Sequence, residues 1–538
     1  TGRPQPRTPP PPREFLPLSP HARGAAAVDS EISLSATLGK KGFRTFVDAQ
    51  GRERVFHGVN AVVKGAPWLP SGGDFDVYTS LGPEDFSFLQ DLGVNVIRLG
   101  IMWAGVEPER GQYNASYLMA AKEMAAEAAH YGIYTLLDMH QDVLSDRFCG
   151  EGVPTWAAQS AGSLAFPLPR SFAYVVGKDG FPTYKDCMKL GWPNYYLTEA
   201  ASMAFQALYD NHDGLLDAWG AMWARVAQTF KGDAHVLGLE LINEPWAGDV
   251  IHNPALLAPG VADKKNLQPA YHALAKAIYA EDPSRLIFFE GVTWGHVGFD
   301  AVPGGPPRAH TSVLAYHHYE IPAGPRAGNT SISDIKARVG DASRLNSGLF
   351  LTEFAEAGGG GGDIWDQVTG ACDTHGQSWA MWAYKSFCVD DAPAHGEGQC
   401  GAFGCCRTGY GGHLFGNASI PPKDAQAKLA RTYATAVSGE IVTSLFEPST
   451  HVFTLTYAPN ASIPLPTEIY TSDRLHYPDG VAVDITPIGA AKWQRVPNGL
   501  RVSPSAPDGG VITVTVSPVS PSRRDAAAGR PRRGKGGE

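Results

Sequence analysis

Two apolar runs that each end on a carboxylate are the parts of this sequence best suited to chemistry. One is Leu241-Ile242-Asn243-Glu244-Pro245 and the other is Leu349-Phe350-Leu351-Thr352-Glu353-Phe354. A pair of facing carboxyl groups cleaves a glycosidic bond, one as general acid/base and one as nucleophile. Pro245 forbids the strand's ladder from continuing past Glu244. A partly desolvated Glu at such a strand end holds its proton to higher pH, which suits a general acid. Asn243 can hydrogen-bond a sugar 2-hydroxyl. Glu353, as nucleophile, must stay ionised, so donors should surround it. Arg98, ending Val96-Ile97-Arg98, and Tyr319, in His317-His318-Tyr319, are the candidates. Glu356 lies nearby but past the apolar run, so Glu353 is preferred. Each motif has a plainer reading. A lone Asn-Glu-Pro is a strand-ending turn, a lone His140 is a structural hydrogen-bonder, and Trp382 is core. Asp142 and Gln141 beside His140 add polar atoms that a sugar needs.

Placing these groups together requires strands that end at one rim. From residue 55, short β-branched runs alternate with stretches of helical period. The runs cover 55–59, 94–99, 134–138, 236–242, 286–290, 313–316, 349–353 and 379–383. Helices are expected at 116–130, 201–230, 268–281, 363–375 and 423–437. Eight strands with helices between them is the count of a (β/α)8 TIM barrel, an α/β fold whose strand ends build the site. A nucleotide fingerprint is absent, and the glycine run 358–362 lacks a Lys–Ser/Thr partner. Residues 440–518 read instead as short, evenly spaced strands, a small C-terminal β-sandwich. The expected divisions are a disordered leader at 1–28, the barrel at 29–437, the sandwich at 438–520 and a disordered basic tail at 521–538. The long loop 139–194 is aromatic-rich, which suits a binding wall.

A net charge of −10 argues against nucleic acid as partner. Four Asn-x-Ser triplets, at Asn114, Asn329, Asn417 and Asn460, are glycosylation sequons that favour a secretory route. The chain opens on Thr1 rather than Met, so a targeting segment is expected to have been removed or to lie outside the sequence. A secreted, secretory-pathway or lysosome-like location is the expectation. Cys149 and Cys187 bracket the long loop and could close it as a disulfide. Cys388, Cys400, Cys405 and Cys406 sit in a Gly-rich stretch whose spacing is poor for zinc.

Arg98, His140, Asn243-Glu244, His317/Tyr319, Glu353 and Trp382 fall in order at the ends of successive strand candidates. That order resembles glycoside hydrolase family 5, retaining enzymes on a (β/α)8 barrel. The segments 94–100, Trp103-x-x-Val106-Glu107-Pro108, 138–142 and 149–156 look like endoglycoceramidases, which cut between glycan and ceramide of glycosphingolipids. The resemblance implies Glu244 as acid/base and Glu353 as nucleophile, with His140, Asp142, Asn243, Tyr319 and Trp382 holding the sugar. Lys64 and Trp192 would extend the glycan site. It implies no metal or organic cofactor and a glycolipid substrate met transiently at a membrane surface. The sequence does not fix the oligomeric state, and a monomer is the expectation. The Gly- and Cys-rich insert 386–416 departs from the family's pattern, which leaves the glycan preference open. Alternatives are a glucosylceramidase or steryl-β-glucosidase of the same family, an endo-β-glucanase, and a non-catalytic glycolipid-binding protein.

Overall fold

The computed structural model describes residues 30–160, 162–177, 180–187, 189–292, 297–319, 330–355, 364–385, 387, 421–505 and 510–519. Eight parallel strands close a barrel: β4 (His57–Ala61), β5 (Val96–Gly100), β6 (Tyr134–Asp138), β7 (Val236–Glu240), β8 (Ile287–Glu290), β9 (Ser312–Tyr319), β10 (Gly348–Ala355) and β11 (Ser378–Met381). They pair in chain order, and β11 returns to β4. Every expected run becomes a strand, because each is a short apolar segment that helices bury from outside.

The N-terminal strands β1 (Ser33–Leu34), β2 (Phe46–Val47) and β3 (Glu53–Arg54) stay out of the barrel wall. Leu34 and Phe46 instead plug its lower end, packing with Phe56, Val96, Leu136, Phe288 and Phe350. The Phe46 ring lies 6.2 Å from Phe288 in a stack and meets Phe56 and Phe350 edge-on. Burying one such ring contributes roughly 1.5–3 kcal/mol. The lower interior is therefore apolar, which leaves the upper ends of the strands to carry polar groups.

The C-terminal part has two antiparallel sheets. β12 (Tyr433–Val437), β15 (Thr467–Tyr470), β18 (Gly499–Pro504) and β17 (Ala491–Val496) extend the sheet begun by β1–β3. β13 (Gly439–Glu447), β14 (Val452–Pro459), β19 (Ile512–Pro518) and β16 (Val481–Thr486) form the second. Hydrogen bonding thus joins residues 33–54 and 433–437 to the sandwich, across the expected border at 437/438.

Two helices differ from expectation. The stretch 201–230 is two helices, Glu199–Tyr209 and Leu215–Thr229. Asn211, Asp213 and Gly214 break it by taking left-handed backbone conformations. The expected helix 423–437 stops after Lys423–Leu429. Tyr433-Ala-Thr-Ala-Val437 then becomes β12, since its partners β3 and β15 supply a ladder that helical propensity cannot match. Among the described residues, no helix is long and apolar enough to cross a membrane. The leader, the basic tail, the glycine run, Glu356, Asn329, Asn417, Cys388, Cys400, Cys405, Cys406 and the insert 386–416 apart from Phe387 lie outside the described residues.

Candidate active site

Arg98 organises the upper end of the barrel. It sits on β5 one alternation above Val96, so it points inward, and it is fully buried. Its Nε donates to Glu240 Oε2 at 2.7 Å, and Nη1 donates to Asn60 Oδ1 at 2.9 Å and Glu353 Oε2 at 3.3 Å. Nη2 donates to Asn243 Oδ1 at 2.9 Å and lies 3.0 Å from Asp138 Oδ1. Burial alone would favour the neutral guanidine; Asp138, Glu240 and Glu353 outweigh it and hold the cation firmly.

Glu353 reaches this cluster through an irregularity. Leu349 and Leu351 pack in the outer core and Phe350 in the inner one, so strict alternation would send residue 353 outward. The β9–β10 register shifts between Leu351 and Glu353, a bulge that sets Glu353 opposite His317. Tyr319, at the end of the same long strand as His317, donates its hydroxyl to Glu353 Oε1.

Glu244 follows β7 with φ of 39°. Its Oε1 lies 2.8 Å from His317 Nδ1, which is also 3.7 Å from Glu290 and 3.9 Å from Glu353. Burial, with Arg98 among the causes, pulls His317 down to about 4 against the pull of Glu353, so the ring is neutral near pH 7. Three carboxyl groups face Nδ1, which places the ring's proton there. Burial, then the charge of Asp142, raises Glu244 to about 7. One carboxylate oxygen each of Glu244 and Glu353 and a ring nitrogen of His317 all lie within 4.8 Å of one another. Glu240, Glu290 and His317 form a second group equally close. By distance alone either group could hold a cation. Burial raises Glu240 to about 7 and lifts Glu290 well above the carboxylate range, helped by Glu244 and Glu240.

A polar wall adjoins the pair. His140 Nδ1 lies 2.8 Å from Asp138 and Nε2 lies 3.4 Å from Asp142. Burial opposes protonation of His140, but these two carboxylates outweigh it and raise the ring. Lys64 is paired with Asp142, 3.6 Å from Glu151 and 4.8 Å above the ring of Trp382. The Trp382 ring is nearly parallel to His140, at 5.4 Å. Gln141 Nε2 donates to the carbonyls of Asn243 and Glu244 at 2.7 and 3.2 Å, and Asn243 Nδ2 donates back to Gln141 O at 3.0 Å. The segment 149–152 carries Glu151 into this wall. A Cβ on Gly150 would meet Asp142 O at 2.0 Å, and one on Gly152 would meet His140 O at 2.2 Å. Cys149 and Cys187 are joined as a disulfide.

The fold therefore brings together Lys64, Arg98, His140, Asp142, Asn243, Glu244, His317, Tyr319, Glu353 and Trp382. Trp192 begins the 3-10 turn Trp192–Leu197, and its side chain lies outside the described residues. Asn114 is exposed at a helix start, where its side chain accepts from Tyr117 N, and Asn460 is exposed and bonded to Ser462. Sequence reasoning missed Asn60, Glu151, Glu240 and Glu290. Glu290 ends an apolar run as Glu244 and Glu353 do, so the same signal was present. Glu240 was hidden inside its run.

Comparison with known proteins follows the same outline. A profile for Cellulase (glycosyl hydrolase family 5) matches residues 78–387, and one for the glycoside hydrolase family 5 C-terminal domain matches 431–516. The chain is 42% identical to an endoglycoceramidase of Cyanea nozakii over 489 residues, covering 88% of this chain and 92% of that one. It is 43% identical to an endoglycoceramidase of Hydra vulgaris over 448 residues, covering 82% and 81%. The solved endo-glycoceramidase II from Rhodococcus sp. superposes with a TM-score of 0.67 at 23% identity, covering 88% of this chain and 99% of that one, a likeness of fold.

Proposed function

The chain belongs to glycoside hydrolase family 5, and on that premise we propose that it is a retaining β-glycosidase that cuts the bond between sugar and ceramide in glycosphingolipids. Glu353 is the nucleophile and Glu244 the acid/base. The observation that carries the reading is the 4.8 Å limit on the spacing of their near oxygens. Retention takes close-set carboxyl groups, about 5–5.5 Å apart, and near oxygens within 4.8 Å are compatible with that spacing.

In the first step a Glu353 oxygen attacks the anomeric carbon as the bond to the lipid oxygen breaks. That oxygen takes the proton of Glu244. His317 Nδ1–H occupies Glu244 Oε1, so the transferable proton sits on Oε2. Arg98 Nη1 and the Tyr319 hydroxyl each donate to one oxygen of Glu353 and hold its carboxyl in place for attack. In the second step the Glu244 carboxylate takes a proton from water, the water oxygen bonds to the anomeric carbon, and Glu353 leaves as carboxylate. Asn243, His140, Asp142 and Lys64 supply hydrogen-bonding groups for the sugar, and Trp382 its flat apolar platform. The names of two relatives, both called endoglycoceramidase, support ceramide as the aglycon.

Mass spectrometry of products from mixed glycolipids tests the substrate. Intact oligosaccharides with free ceramide are expected. Release of single glucose from glucosylceramide alone would move the reading to a glucosylceramidase. Inert glycolipids beside cleaved β-glucan would replace it with an endoglucanase.

A further inference from the structure

We propose that Glu290 is a positioning residue that fixes the backbone of Glu244 and thereby aims the acid/base carboxyl at the departing oxygen. The inference rests on the reading of Glu244 as acid/base. Residue 244 has a left-handed backbone, although it carries a side chain, a conformation that L residues with a Cβ adopt at a cost. Pro245 follows, restricting residue 244 further and offering no N–H of its own. Something must hold this peptide, and two buried side chains do. Glu290 Oε2 accepts the N–H of Glu244 at 2.9 Å. Gln141 Nε2 contacts the carbonyl of the same residue at 3.2 Å. Glu290 is itself anchored, since the Tyr271 hydroxyl donates to its carbonyl at 2.8 Å.

The groups facing Glu290 are Glu244, Glu240, His317 and Arg98. Burial and the two glutamates keep it protonated, so it presents a neutral acid's oxygen to Glu244 N–H. The role requires an acceptor at that point and no charge. Glutamine has the same shape and the same acceptor, leucine has neither, and aspartate withdraws the oxygen by one methylene.

The test compares two leaving groups in Glu290→Gln, Glu290→Leu and Glu290→Asp, with rates normalised to titrated active sites so that unfolded protein is not counted. A lipid glycoside needs proton donation to depart; a dinitrophenyl glycoside does not. Glu290→Leu and Glu290→Asp are expected to lose roughly 10- to 100-fold in kcat/KM, which reports the first step alone, on the lipid glycoside and less than about 3-fold in kcat/KM on the dinitrophenyl glycoside. Glu290→Gln is expected to stay within about 3-fold of wild type on both. Equal losses on both substrates, a Gln variant as poor as Leu, or unchanged Leu and Asp variants would each overturn the proposal. Glu244→Gln serves as control. If it too shows no leaving-group dependence, the reading of Glu244 has failed, and not merely that of Glu290.

Discussion

Glu244 must carry a proton into the first step, and its carboxyl is held at about 7. Activity that depends on this proton is present below that pH and is lost as pH rises through it. Burial sets most of the shift and Asp142 is its next cause, raising it. Asp142→Asn removes a negative charge that faces Glu244, which favours the ionised form of Glu244. The alkaline limb of kcat/KM in Asp142→Asn is therefore expected to move to lower pH, in a pH–rate profile on a soluble aryl glycoside; a limb that moved up would refute this electrostatic account. Glu244 and Glu353 were legible in the sequence because each closes an apolar run. The inward aim of Glu353 was not, since it depends on a bulge that strict alternation contradicts. Glu290 closes an apolar run in the same way, but its role, like that of Glu240 inside its run, comes from neighbours on other strands.

At the scale of elements, the barrel strands were readable to within about three residues because each is short, apolar and bounded by polar punctuation. The helix breaks at Asn211–Gly214 and after Leu429 were not, because left-handed residues and sheet partners decided them. The long loop after β6 is an element of its own kind, with a wall in the site at Glu151 and a covalent tie from Cys149 to Cys187, 38 residues apart. Closing a loop of that length stabilises by up to about 4 kcal/mol in the chain-entropy account. The Cys149→Ser/Cys187→Ser variant is expected to show a higher KM, a similar kcat and faster proteolytic cutting within the loop. Unchanged KM and unchanged cutting would mean that the tie does not support the binding wall.

The whole molecule is a barrel welded to a sandwich. Tyr470 of the sandwich donates to Asp91 O at 2.6 Å, and Tyr433 donates to Gly93 O at 2.7 Å. Arg474 lies 2.9 Å from Asp91, and buried Arg431 spans Asp366 and Asp373. Gly93 marks the seam: its φ is +76°, and a Cβ there would sit 2.4 Å from the Tyr470 ring. Gly93→Ala is expected to cost on the order of 1–3 kcal/mol and to lower Tm while leaving one calorimetric transition. A split into two transitions would show that barrel and sandwich unfold separately. The presence of the sandwich was legible from its turn-punctuated strands. Its recruitment of residues 33–54 was not, because pairing across nearly four hundred residues leaves no local trace.

The double-displacement chemistry is tested most directly by trapping its intermediate. A fluorosugar glycoside with a good leaving group slows breakdown of the glycosyl-enzyme, and peptide mass spectrometry then locates the sugar. The account predicts a single modified residue, Glu353, in wild type and none in Glu353→Gln. A sugar bound to any other residue, or turnover that releases the inverted anomer with no adduct, would contradict it.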